Sequence, residues 1–185
     1  DLGDVKLLTF QLDGASQNKK INEIGVGTGA KKYLMNIQRM YQKAPYFDNV
    51  FPIISKIIQS DEKQLALFIG NSLMILSEYL SLNTEFIYSS ELNKNNNLVA
   101  QDKILSICKI LNADSYINPI GGKELYSKTV FNNHNISLFF IETLRISYKQ
   151  FNPKIFVPYL SIIDTLMFNS KEKLKKLLLK FKLIQ

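Results

Sequence analysis

"ADSYINPIGGKELYSKTVFNNHNISLFFIE" (residues 113–142) alternates a short apolar run, a glycine pair, a helical segment and a second apolar run. Residues 113–120 and 136–142 read as strands, rich in aromatic and β-branched side chains and bounded by turn formers, while residues 121–133 read as helical. Strands joined through a helix pair in parallel, because a parallel neighbour needs a crossover connection. The stretch therefore predicts an α/β fold.

Working upstream, "VAQDKILSICKILN" (99–112) has the period of a helix with Ile104, Ile107, Cys108 and Leu111 inward. The polar loop "ELNKNNNL" (91–98) precedes it, and "TEFIYSS" (84–90) reads as a further strand. The expected sheet is small and mainly parallel, built from residues 86–88, 116–118 and 138–141. Three successive helices come before it. "AKKYLMNIQRMYQKA" (30–44) puts Tyr33, Ile37, Met40 and Tyr41 on one face and ends before Pro45. "YFDNVFPIISKIIQS" (46–60) carries Pro52 near its start, with Tyr46 and Phe47 as core anchors of that start. "DEKQLALFIGNSLMILSEYLSL" (61–82) is nearly all apolar, with Asp61 and Glu62 in its first turn, where the helix dipole favours them. Residues 5–12 read as a strand and 13–30 as a long polar loop. Downstream, residues 143–155 form a connecting loop and "FVPYLSIIDTLMFNS" (156–170) a helix starting near Pro158. No repeat and no domain boundary is visible, so a single helix-rich α/β domain is expected over residues 1–185.

With 46% apolar and 21% charged residues, the composition is that of an ordinary globular domain. No run approaches membrane-spanning length and "DLGDVKLLTFQLDG" lacks the basic and apolar regions of a signal peptide, so a cytoplasmic protein is expected. The one cysteine, Cys108, lies on an apolar helical face and reads as a core residue, and the one histidine, His134, sits in a polar turn. No metal site and no Ser/His/Asp triad is expected, and no cofactor is assigned.

The net charge of +7 is concentrated in "KEKLKKLLLKFKLIQ", from Lys171 to Gln185, where six lysines and one glutamate supply five of the seven net charges. This tail reads as a basic amphipathic helix with Leu174, Leu177, Leu178 and Phe181 on one side. The leucines are expected to pack on the domain. Peripheral contact with an anionic membrane is the alternative use of such a helix. Nothing else resembles a nucleic-acid surface, so no nucleic-acid partner is expected.

Two glycine clusters invite a phosphate. "IGVGTGAKKYL" (24–34) follows a polar loop and not a buried strand, so it reads as a connector, and substituting Gly27 is expected to do little to ligand binding. Gly121 and Gly122 close an apolar strand just before a helical segment, where open α/β sheets bind ligands, and Lys123 adds a point charge. A plain strand-to-helix turn explains the same glycines equally well.

"QKAPYFDNVFPII" (42–54), "IYSSEL" (87–92), "KILSICKILNADSYINPIGGKELY" (103–126) and "FVPYLSIIDTLMFN" (156–169), together with "LLTFQLDGASQNKKINEI" (7–24), come in this order and at these spacings in the WbqC-like proteins, which the chain resembles over nearly its whole length. The resemblance implies a role among bacterial proteins of O-antigen, lipopolysaccharide and other surface-polysaccharide synthesis. It supplies no agreed reaction or catalytic residue. Members usually open with a Gln-Pro-x-Tyr-Leu-Pro-Trp segment, which is like the phosphate-binding entrance of nucleotidyltransferase-type α/β folds. The chain begins after that point, so the resemblance implies an amino-terminally truncated domain.

Candidate site residues come from the family-like segments. Ser89, Ser90 and Glu91 close the expected strand 84–90, with Glu91 a base or sugar-hydroxyl acceptor in one reading and a capping residue in the other. Tyr159, Ser161 and Asp164 are polar groups on an otherwise apolar helix, and Asp164 needs a partner if buried. Glu91 and Asp164 are thus the catalytic candidates, and Ser89, Ser90, Gly121, Gly122, Lys123, Tyr159 and Ser161 the ligand-binding ones. Two functions stay open: a transferase that moves an acyl or aminoacyl group onto an activated sugar, with a nucleotide sugar or another phosphorylated small molecule as ligand, and a non-catalytic assembly protein at the cytoplasmic membrane face.

Overall fold

A computed structural model describes residues 5–152 and 154–185. Pro153, in the expected loop 143–155, lies outside them, as do residues 1–4. The first regular structure is a two-residue antiparallel pair, β1 (Leu12–Asp13) with β2 (Gly25–Val26), with a 3-10 turn at Ile21–Glu23 between them. Residues 5–11 are not a strand, contrary to expectation, and the supposed polar loop supplies β2.

Helix α1 (Ala30–Tyr41) starts at Gly29, whose φ of 115° belongs to the left-handed region that glycine enters without strain. It buries Leu34 and Ile37, with Tyr33 and Tyr41 half-buried. Helix α2 (Phe47–Ile58) places Asp48 in its first turn and Val50, Ile54 and Ile57 inward at helical spacing. Pro52 lies inside this helix, where it lacks the N–H for an intrahelical bond. Helix α3 (Leu65–Leu80) begins later than expected. Asp61 and Glu62 precede its first turn, and Glu62 Oε1 instead accepts the Gln64 backbone N–H at 2.8 Å.

Helix α4 (Ala100–Ile110) buries Leu105 and Cys108 and leaves Leu111 exposed, a shift of register from the expected face. Strand β3 (Ser115–Pro119) runs into a 3-10 helix, Ile120–Leu125, and α5 (Lys128–Asn133) follows under a Ser127 cap before β4 (Ser137–Thr143). Helices α6 (Ile162–Phe168) and α7 (Lys171–Leu178) come next, and β5 (Phe181–Ile184) ends the chain. The expected helix start near Pro158 moves to Ser161, because Tyr159 sits at φ 59° and cannot continue a right-handed helix.

The sheet has the order β3-β4-β5. β3 pairs in parallel with β4, Ile117 opposite Phe139, as the opening stretch predicts. Its third strand is β5, antiparallel to β4, and not residues 84–90. Phe86 and Tyr88 are half-buried between exposed neighbours, so the alternation is present there, but no ladder forms. The tail is therefore a helix followed by a strand, and the sheet is mixed.

The described residues group into two compact units. One holds the residues up to Phe86 and Ile146–Leu177, the other Ile87–Arg145 and Leu178–Gln185. The first is helical, with Ile37, Val50, Leu166 and Met167 fully buried in its core and Leu174 of α7 beside them. The second packs Leu105, Cys108 and Phe131 against Leu138 and Phe140 of β4, and Tyr116 stacks on Phe131 at 5.5 Å between ring centroids. The fold is a helix-rich α/β arrangement.

Candidate functional site

The site residues expected in the second unit divide between two places. Ser89, Ser90 and Glu91 lie exposed in a turn closed by the Glu91 N–H on the Tyr88 carbonyl at 3.0 Å, and the Lys94 ammonium donates to the Ser89 carbonyl. Because residues 84–90 pair with no strand, these three do not stand at a strand end of the sheet beside Gly121. Gly121, Gly122 and Lys123 fall within the 3-10 helix that follows β3, and not just ahead of an α-helix. Six residues of 3-10 helix build no extended dipole, so the backbone charge expected to hold an anion there is small. Gly122 is buried because the Asn118 amide lies over it, with Nδ2 2.2 Å from where a Cβ would stand. Gly121 and Lys123 face solvent.

In the first unit, the expected trio around α6 separates. Tyr159 is 97% exposed. Ser161 caps α6, its Oγ accepting the Ile163 N–H at 3.3 Å. Asp164 is buried, and its carboxylate accepts three hydrogen bonds: Tyr41 Oη to Oδ1 at 3.2 Å, Tyr148 Oη to Oδ2 at 2.7 Å and Gln150 Nε2 to Oδ2 at 2.8 Å. Gln150 also exchanges two bonds with the backbone of Val157, at 2.8 Å and 3.1 Å. One carboxylate thus ties Tyr148 and Gln150, in the irregular stretch 146–152, to α6 and α1. Burial, followed by the negative charge of Asp164, raises the Tyr41 pKa above its ordinary 10. Burial and then the hydrogen bond to Asp164 push Tyr148 up to about 12, against a lowering contact with Thr165. Both phenols are donors at neutral pH. A carboxylate so enclosed is a fastening, with both oxygens engaged by protein.

A groove of about 920 Å³ opens in the same unit, within the size range of small-molecule sites. Residues 26–31 and 58–63 form one end of it, and Leu34, Met35, Phe51 and Ser55 continue along it. The connector "GVGTG" is the lip of this groove. β2 is formed by the first two residues of this connector, and Gly29 gives α1 an N-cap with no side-chain hydrogen bond, so the first-turn N–H groups receive no cap from that residue. Gly27 is held close to the neighbouring backbone, its N–H bonded to the Gln11 carbonyl at 2.9 Å. The sequence signal, three alternate glycines before an amphipathic helix, is present. What local reading missed is a strand only two residues long. Among the described residues no group of three or more His, Cys, Asp or Glu side chains is placed to hold a metal ion, and no helix is long and apolar enough to cross a membrane.

The sequence model of the WbqC-like protein family matches residues 2–176. The chain belongs to the WbqC-like family. No curated protein and no solved structure matches it. The WbqC-like match takes in the groove, the Asp164 cluster and the glycine pair at 121–122. Strand β5 lies beyond the matched residues.

Proposed function

We propose that this chain serves bacterial surface-polysaccharide synthesis, O-antigen and lipopolysaccharide included, by binding a phosphorylated small molecule such as an activated sugar in the groove of the first unit. Membership of the WbqC-like family supports the setting. The observation that carries the binding reading is the groove of about 920 Å³, with the amino end of a twelve-residue helix at its lip and Lys31 and Lys63 in its lining. Backbone N–H groups and the helix dipole favour an anion at that end, and the side chains beyond it give a ligand body something to pack on. The reaction that fits such a ligand is acyl or aminoacyl transfer. Of the two carboxylates offered by the sequence, Asp164 has both oxygens occupied by protein and Glu91 belongs to the second unit, so neither is assigned to a ligand of this groove.

Titration calorimetry of the full chain with nucleotide sugars, sugar phosphates and coenzyme A tests this, with Lys31→Ala and Lys123→Ala compared. Loss of one charge-assisted contact lowers affinity by about ten- to a hundredfold, and that loss is expected in Lys31→Ala alone. The same loss in Lys123→Ala alone would move the site to the glycine pair of the second unit. Binding that neither variant changes would remove both locations.

A further inference from the structure

The groove is not uniform along its length. Helices α1 and α2 are joined by residues 42–46 as an antiparallel helical hairpin, so the amino end of α1 lies beside the carboxyl end of α2. All four charged residues of the lining are gathered at that end: Lys31, Asp61, Glu62 and Lys63. They sum to no net charge. Away from it, α1 contributes Leu34, Met35 and Gln38, and α2 contributes Phe51 and Ser55, so the wall is mainly apolar with two polar side chains. Met35 is 43% exposed, an apolar side chain standing open on the groove wall one helical turn from Lys31.

A rim whose cations and carboxylates offset each other gives a purely ionic ligand little net Coulomb attraction, and the uncovered apolar wall must then supply most of the affinity. We infer that the ligand of this groove is amphipathic, with a phosphate at the charged end and a hydrocarbon chain lying along Leu34, Met35 and Phe51. The inference rests on the groove reading proposed above and names its ligand class. A chain that enters the trough exchanges water for apolar contact at each methylene, whereas a sugar in the same place has only Gln38 and Ser55 on this stretch to accept or donate.

Butyl phosphate, octyl phosphate and a uridine diphosphate sugar, titrated into the full chain and into Met35→Gln, separate the alternatives. Burial of a methylene is worth roughly fourfold in affinity, so octyl phosphate is expected to bind more than tenfold tighter than butyl phosphate. Met35→Gln, at an exposed position on α1, should cut that ratio at least fivefold, the loss falling on octyl phosphate more than on butyl phosphate. Equal affinity for the two alkyl phosphates, or tighter binding of the sugar nucleotide than of octyl phosphate, overturns the amphipathic ligand and leaves the groove reading standing. A chain-length dependence that Met35→Gln leaves intact places the hydrocarbon elsewhere and also overturns the inference. Absence of binding by all three removes the groove reading itself.

Discussion

At the scale of single residues, two positions carry unequal loads for reasons of contact and not of residue type. A Cβ on Gly27 would stand 2.6 Å from the Gln11 carbonyl oxygen and 2.9 Å from its carbon, and backbone atoms cannot swing aside as a side chain can. Gly27→Ala is therefore expected to lose on the order of 1–3 kcal/mol in urea unfolding. Gly121→Ala, with nothing within 4 Å of its added carbon, should stay within about 0.5 kcal/mol. Asp164 is the other position. Asp164→Ala takes from the Tyr41 hydroxyl its partner and from Tyr148 and Gln150 one bond each, their contacts with Thr165 and Val157 remaining, and roughly 2–3 kcal/mol of destabilisation is expected. A loss under about 1 kcal/mol would mean that the cluster does not fasten Tyr148 and Gln150 to α6. The same cluster sets an alkaline limit. Tyr148 titrates near 10 when unfolded and near 12 when folded, so the folded state holds its proton more tightly. That contribution is complete below pH 10 and disappears as the pH rises through 12. Unfolding midpoints measured from pH 9 to 11.5 should fall more steeply in the native chain than in Tyr148→Phe.

Elements owe their ends to caps and their identity to partners. Ser161 and Ser127 each turn a hydroxyl onto the first turn of a short helix, α6 and α5. Ser161→Ala is expected to cost about 1 kcal/mol and Ser161→Asp to retain the stability, as an N-cap requires. If Ser161 bound a ligand instead, the two substitutions would destabilise alike or not at all. The capping serine and the left-handed Tyr159 together explain why α6 is shorter than its apolar pattern, since the period runs on past the point where the backbone can follow. Segment 84–90 shows the converse. Its alternation is that of a strand, yet a strand is defined by pairing. The sheet runs β3-β4-β5 and residues 84–90 pair with neither of its edge strands.

For the molecule as a whole, the final residues matter more than a solvated basic tail would. β5 sets Leu183 opposite Ile141 and Ile184 opposite Phe140, and Lys182 faces Glu142 across the ladder as an opposite-charge pair. Removing residues 179–185 would leave one edge of β4 without a partner. Amide exchange in residues 140–143 is expected to accelerate more than tenfold in that truncated chain, while exchange in α2 stays slow. Uniform loss of protection in both units would show that they unfold together. Of the four tail residues expected to pack on the domain, Leu174 of α7 is buried and Leu177 half-buried, whereas Leu178 and Phe181 are exposed; Lys171 Nζ stands 4.3 Å from the Tyr79 ring centroid, so part of the amphipathic face is already used within the first unit. Flotation with anionic vesicles at physiological salt should accordingly recover little of the protein. Strong recovery that disappears with residues 171–185 would assign the tail to a membrane surface.

Local chemistry in the sequence was enough for the α/β character, the parallel β3–β4 pair and the seats of α1, α2 and α4, because helical period, alternation and turn residues act within a few positions. It was enough for the family as well, since ordered segments survive without any knowledge of contacts. It also showed that Asp164 would need partners if buried. Three things waited for tertiary structure: that Tyr41, 123 residues away, is one of those partners, that the third strand comes from the tail, and that a two-residue strand turns a glycine connector into the lip of a groove. Each depends on which distant segment reaches an open edge or an unsatisfied group first, and that competition is decided by packing over the whole chain, where local period carries no information.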